Sequence, residues 1–431
     1  MSEKVAKLRV AMMRSNTRTL LTVVMLFQFA CMLLLAFKTE GTVSTQALVL
    51  AAALPLCTLV LVNGFGKLWP VDRAFLILVL LIISIGIIVL SAICRSEETP
   101  RTHAIYAAAG MPAMLVSIVF IRHFRSWKRF IIPMAILCVG ALLSPWVIGS
   151  WYQGARNWIT LIPGKLTVQP SEFMKPVLIM VLAAGFSNRP RFIKCLPTIG
   201  FAAICCGILL SERDLGAVLL YFLTTVLMYF AATSNGFLTL AGLGMGCAAA
   251  VVAYHAMPYV QDRVAIWINP WSDPQDTGYQ LVQALIAIGS GGWFGMGLGL
   301  GSPRTIPLYY SDFIFASMAE EFGLIFAVCV LAIYVILALR GMHAAMNARS
   351  SFHSLTAFGL MIMLALQTML IVGGNTKLLP LTGVTLPMMS YGGSSLMSEM
   401  ISMGILLGIS SMNAEEERRD IDQVELKESL V

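Results

Sequence analysis

The chain has 431 residues, 58% of them hydrophobic and only 12% charged, with a mean hydropathy of +0.82. A soluble domain carries about twice that share of charge, so these numbers exclude a cytosolic enzyme, a secreted disulfide scaffold and a disordered chain. The net charge of +7 does not point to nucleic acid, because the cations form short clusters between apolar runs, as anchoring to anionic lipid headgroups requires.

Runs long enough to cross a bilayer as helices predict an all-α polytopic membrane protein with about twelve spans. The first five cover residues 19–37, 45–62, 74–94, 102–121 and 130–149. The next four cover 170–186, 196–210, 215–233 and 236–257, and the last three 312–339, 355–374 and 396–410. The first run is too long for a signal peptide. Lys4, Lys7, Arg9, Arg14 and Arg18 precede it, which predicts a cytoplasmic N-terminus. Alternate loops agree: Lys67 and Arg73, then Arg122, Arg125, Lys128 and Arg129, then Arg189, Arg191 and Lys194, then Arg340 and Arg349. An even number of spans also puts the charged C-terminal tail in the cytoplasm. The nine cysteines include no CxxC pair and lie mostly in apolar runs, so neither disulfides nor zinc are expected. No internal repeat supports an inverted-repeat transporter.

Candidate chemistry gathers in the loops of the opposite face. Gln169-Pro-Ser-Glu-Phe-Met-Lys175 opens the sixth span, with Glu172 and Lys175 spaced i,i+3 on one helix face. They are either an interfacial ion pair that fixes the helix or the wall of a polar cavity that meets a charged substrate. Gly154-Ala-Arg-Asn-Trp158 adds Arg156. In Ser211-Glu-Arg-Asp-Leu-Gly216, Asp214 is either a helix cap or a substrate contact.

The segment 258–311 contains Arg263, a half-length helix that includes Gln280, and the glycine-rich run 289–301, read as a flexible outer lid. No Gly-Lys-Ser/Thr ending supports a phosphate loop. Asp312 then opens the tenth span, with Glu320 and Glu321 deeper on the same helix. A carboxylate at that boundary is either an N-cap or a base placed to take a proton from a hydroxyl. Leu386-Pro-Met-Met-Ser-Tyr-Gly-Gly-Ser-Ser395 supplies Ser390 and Ser394, for tight packing or for hydrogen bonding.

Together with Asn-Pro-Trp-Ser-Asp-Pro274, Gly-Tyr-Gln280 and Ser-Asp-Phe-Ile-Phe-Ala316, these blocks resemble, in order, the signature of the SEDS family, the RodA/FtsW/SpoVE group of bacterial shape, division and sporulation proteins. The resemblance implies a peptidoglycan glycosyltransferase that polymerises lipid II at the outer face of the cytoplasmic membrane, with Asp312 catalytic and Glu172 and Lys175 as an activity-linked pair. It also implies a class B penicillin-binding protein as partner. Arg156, Gln169, Asp214, Arg263, Gln280, Ser390 and Ser394 are further candidates for substrate contact, and a divalent cation (Mg or Mn) is possible although no ligand cluster is evident. The implied layout is a basic N-terminus (1–18), a five-helix region with two extra spans (19–153), a catalytic core (154–410) with an outer loop (258–311), and a cytoplasmic tail (411–431). The sequence departs from the family at Ile306-Pro-Leu-Tyr-Tyr-Ser-Asp312, which lacks the usual Glu-x-His-Thr before the aspartate. The rival readings are a lipid-linked precursor flippase and a non-catalytic scaffold for a transpeptidase.

Overall fold

The computed structural model describes residues 3–37, 43–123, 127–152, 155–162, 166–188 and 191–429, without the side chains of 3–16, 128, 150–155, 161–166 and 424–429. Of the residues singled out above, Arg125, Gly154 and Arg189 lie outside the described residues, as do the side chains of Lys4, Lys7, Arg9, Arg14 and Lys128.

The first helices are α1 (Glu3–Ala36), α2 (Thr45–Leu68), α3 (Arg73–Ile93), α4 (Glu98–His123) and α5 (Trp127–Ile148). A small antiparallel sheet follows, β1 (Ser150–Tyr152), β2 (Ala155–Ile162) and β3 (Leu166–Val168), with β2 in the middle. Then come α6 (Pro170–Phe186), α7 (Phe192–Ser211), α8 (Leu215–Thr233), α9 (Gly236–Ala256), α10 (Pro258–Ile268) and α11 (Tyr279–Gly291). The chain closes with α12 (Ile314–Met346), α13 (Ser351–Asn375) and α14 (Gly393–Ser429).

Among the described residues, 11 helices are long and apolar enough to cross a membrane. The sequence predicts about twelve. The difference is α6, which is apolar but only 17 residues long. The segment 196–210, one of the two shortest predicted spans, is part of the 20-residue α7. In the tail, residues 411–429 continue α14, which runs without a break from Gly393 to Ser429.

Several helix starts follow from local chemistry. Ser44, Asp72, Asp214 and Asn235 each accept a first-turn amide of α2, α3, α8 and α9, while Pro170 occupies the first turn of α6, where its missing N–H costs nothing. The uniformly apolar α3 is almost wholly buried among its neighbours. A buried amide ties α1 and α2 to it: Gln28 donates to Thr58 Oγ1 at 3.0 Å and to Ser84 Oγ at 2.7 Å. By contrast α9 lies at the rim, with only Thr239 buried.

The two ends of the bundle differ. At one end, Arg122 pairs with Glu415 and Arg340 with Asp72, each at 2.8 Å, and Arg349 reaches Asp420. The other end carries the sheet, α10, α11 and the loop between α13 and α14.

One expectation needs correction here. The glycine-rich run after α11 is no loose lid. It folds down against α12, where a Cβ on Gly291 would lie 2.2 Å from the Ala319 carbonyl oxygen, and one on Gly295 2.3 Å from that of Glu321. At the same level α12 is interrupted by Gly323, at φ +86°. Such close backbone approach requires residues without side chains.

Candidate functional site

Asp312 sits just before α12 but does not cap it. Phe313 is the residue preceding the first turn, and it makes no side-chain cap of its own. Asn375, the last residue of α13, holds the turn instead. Its Oδ1 accepts the Ala316 amide at 3.2 Å and its Nδ2 donates to the Asp312 carbonyl at 2.9 Å. From the last loop Ser390 Oγ donates to the Ser311 carbonyl at 2.7 Å and accepts the Leu386 amide at 2.8 Å.

The Asp312 carboxyl is therefore fixed through its backbone while its oxygens are spared helix capping. Burial pushes its pKa up to about 6, against the opposing pull of the Ser311 hydroxyl and the Arg263 charge. Gly383, at φ +72°, faces it: even a Cβ there would stop 3.8 Å from Asp312 Oδ2. Arg263 of α10 binds the same loop, donating to the Leu381 carbonyl at 2.8 Å.

Glu172 and Lys175 form the ion pair that their spacing predicts, at 2.7 Å, with Lys175 only 3% exposed. The Lys175 ammonium also donates to Gln367 Oε1 at 2.9 Å, and Gln367 Nε2 donates to the Thr385 carbonyl at 2.9 Å. The pair thus supports, from behind, the loop that faces Asp312. Glu399 of α14, also buried, lies within electrostatic reach of both charges.

Asp214 turns out to be a cap and a hub together. Its Oδ1 accepts the Ala217 amide at 3.0 Å, while Oδ2 accepts Asn157 Nδ2 at 3.0 Å and Gln169 Nε2 at 2.9 Å. Gly216, two residues on, packs against Thr382 and Val384, so this hub borders the Asp312 loop from its other side. Glu212 beside it is buried, and burial together with the Asp214 charge pushes its pKa up to about 8, which keeps it protonated near neutral pH.

Ser394 Oγ accepts the Gln169 amide at 3.2 Å. Arg156 is drawn aside: its guanidinium lies 5.8 Å over the Trp146 ring and points to the Gly149 carbonyl. Gln280 lies in the first turn of α11, where no described hydrogen bond joins it to the other candidates. Among the described residues, no group of three or more His, Cys, Asp or Glu side chains is arranged to hold a metal ion.

Sequence reasoning passed over Gln367, Asn375, Thr385 and Glu399. The available signal was polarity: two amides and a carboxylate interrupting the apolar runs of α13 and α14.

Residues 72–415 match the family model described as "Cell cycle protein", that of FtsW, RodA and SpoVE. The chain is 36% identical over 327 residues to the peptidoglycan glycosyltransferase RodA of Mycobacterium tuberculosis, covering 71% of this chain and 69% of that protein. To the probable peptidoglycan glycosyltransferase FtsW of Geobacter metallireducens it is 32% identical over 367 residues, 80% of this chain and 96% of the relative. Its fold is similar to a chain solved in a peptidoglycan synthase complex that coordinates polymerization and crosslinking, with a TM-score of 0.68 at 25% identity over 80% of this chain and 98% of that one.

Proposed function

The chain belongs to the FtsW/RodA/SpoVE family of peptidoglycan glycosyltransferases, and from that premise we propose that it polymerises lipid II at the outer face of the bacterial cytoplasmic membrane, with Asp312 as general base. The observation that carries this reading is the Asp312 carboxyl itself. It is backbone-anchored by Asn375, not used as a cap, and has a pKa of about 6. Such a group is ionised at neutral pH yet basic enough to accept a proton in a transition state.

Asp312 takes the proton of the acceptor's sugar hydroxyl as the hydroxyl oxygen attacks the donor's anomeric carbon. The new glycosidic C–O bond forms while the bond from that carbon to the polyprenyl diphosphate oxygen breaks, and the diphosphate leaves with the electron pair. A positioned base is worth about 10²–10⁴-fold in rate. Negative charge grows on the leaving diphosphate, and fixed cations near it lower the barrier. Arg263 and Lys377, both beside the Asp312 loop, are the groups we assign to that task. Lys377 is held there by its backbone carbonyl, which accepts Trp267 Nε1 at 3.2 Å. Gln169, Asp214, Ser390 and Ser394 shape the wall rather than the reaction.

The topology that goes with this reading has both termini in the cytoplasm and α6 as a twelfth span. At about 1.5 Å per residue its 17 residues reach about 26 Å, close to the thickness of a hydrocarbon core. The family match begins at Asp72, so α1 and α2 stand outside a core of ten spans. A class B penicillin-binding protein that crosslinks the new strands is the partner we infer, in keeping with the complex that holds the similar solved chain.

The test uses purified protein with lipid II and reads glycan strands on a gel. Asp312→Asn keeps the shape of the side chain but not the basic oxygen, and should abolish polymerisation while expression and membrane insertion remain normal. Polymerisation by this variant at close to the wild-type rate overturns the mechanism. A wild-type chain that moves lipid II across vesicles without polymerising it favours the flippase reading instead.

A further inference from the structure

A helix interrupted inside hydrocarbon leaves amides and carbonyls that water cannot reach, each costly unless protein satisfies it. At Gly323 the chain between α11 and Asp312 supplies the missing partners. Met296 N donates to the Glu320 carbonyl at 2.8 Å and Gly297 N to that of Glu321 at 3.1 Å. In return Leu324 N donates to the Gly292 carbonyl at 2.9 Å and Ile325 N to that of Trp293 at 3.3 Å. α11 and the residues that follow it are therefore a re-entrant hairpin seated in the gap of α12.

The two carboxylates at the gap grip the returning limb. Glu321 accepts the Gly299 amide and Glu320 Oε1 accepts the Ser302 amide at 2.9 Å. Both glutamates are buried. Hydrogen bonds from amides to a carboxylate are roughly twice as strong as neutral ones. Above the grip, Ile306 is fully buried in a small apolar cluster with Ala284, Ala287, Phe313 and Ala316. The Leu308 carbonyl then accepts the amides of Ser311 and Phe313. The limb held by Glu320 and Glu321 is thus joined by packing and backbone bonds to the turn that carries Asp312.

We propose that Glu320 and Glu321 are positioning residues for glycosyl transfer: by clamping Gly299 and Ser302 they fix the hairpin, and through Ile306 and Phe313 they set the place of the Asp312 carboxyl. They touch neither substrate. The proposal rests on Asp312 being the base, because it concerns how that base is aimed. Displacing a catalytic group by about 1 Å costs on the order of 10²-fold in rate. Glu320 Oε2 has no hydrogen-bond partner among the described residues, so Glu320 is the weaker grip of the two.

The experiment measures kcat and KM for lipid II with purified full-length chain, alongside thermal unfolding in detergent. Glu321→Ala should lower kcat by about 10²-fold and leave KM within about threefold. Glu321→Gln, whose amide oxygen still accepts from Gly299, should restore most of kcat. Glu320→Ala should cost less, about 10-fold. A folded Glu321→Ala variant with wild-type kcat overturns the proposal, and so does a folded Glu321→Gln variant as slow as alanine. If Glu321→Ala does not fold, Ile306→Ala decides, since it leaves the grip in place and loosens the apolar cluster that joins the limb to Phe313. Unchanged kcat in that variant overturns the clamp, and a fall in kcat at constant KM supports it. Wild-type activity in folded Glu321→Ala beside an inactive Asp312→Asn rejects the clamp alone, whereas an active Asp312→Asn rejects the base.

Discussion

Helices α6 and α12 both bury acidic side chains, and they settle the cost in opposite ways. On α6, Glu172 meets a cation one turn away, and the pair is extended by the Gln367 amide. On α12, Glu320 and Glu321 meet main-chain amides of a hairpin that arrives from elsewhere in the sequence. The first arrangement depends on side-chain identity, so one substitution strands a charge. The second depends on a backbone path that only glycines can follow, so its weak points are Gly295 and Gly323 as much as the acids. Both supports converge on Asp312, the first through Thr385 and the loop around Gly383, the second through Ile306 and Phe313.

The largest effect expected from breaking this contrast is on α6. Lys175→Met leaves Glu172 buried without its counter-charge, which costs about 3–5 kcal/mol. Unfolding temperature in detergent should fall sharply, and Glu172→Gln in the same chain should recover part of the loss. Strictly additive losses would mean that the two groups act separately.

Gln367→Leu is milder. It removes one bond to Lys175 and one to the Thr385 carbonyl, about 1–3 kcal/mol. Because the second bond steadies the loop facing Asp312, kcat should fall by more than the stability loss alone predicts. A stable but fully active variant would show that the α6 pair does not act through this loop.

The smallest effect sharpens the point of convergence. With a pKa of about 6, the Asp312 carboxyl should give a rate that rises with pH through about 6 and falls below it. The linkage to stability has the opposite sign. A carboxyl raised from 3.8 to about 6 binds more protons in the folded chain, so between those values stability declines as pH rises. Asp312→Asn should therefore unfold at the same temperature as wild type or slightly higher above pH 6, although it is inactive. A clear drop in its unfolding temperature would assign Asp312 a structural role.

Much of the α6 side of this contrast was legible in the sequence, and little of the α12 side. Spacing of three residues places Glu172 and Lys175 on one helix face, which is a local property. Hydropathy marks the long helices because backbone bonds within each one satisfy it without outside help. The hairpin gave no such signal. Its partners are carbonyls and amides of Glu320 to Ile325, which carry no side-chain signature, and residues 289–301 have no periodicity, so they suggested a lid. Asp214 could be placed as a cap from its position before Leu215, but its bonds to Asn157 and Gln169 join segments far apart in the chain. Asp312 before an apolar run suggested either a cap or a base. Asn375, distant in sequence, relieves it of capping.

The junction of Gln28 with Thr58 and Ser84 bears on how the chain is assembled during synthesis. α1 enters the bilayer carrying an amide that lipid cannot satisfy, and α2 delivers Thr58 before α3 delivers Ser84. The first hairpin therefore has the Gln28–Thr58 contact of its own and gains the bond to Ser84 only when the family-matched part of the chain begins to insert. Ser84 loses little without that amide, because its hydroxyl already donates to the Leu80 carbonyl at 2.7 Å. The dependence runs one way. α3, whose Ser84 and Ser91 hydroxyls both donate to carbonyls of their own helix, can face acyl chains as readily as it faces α1 and α2, which makes the leading hairpin an addition that the rest of the bundle receives rather than a foundation on which it is built.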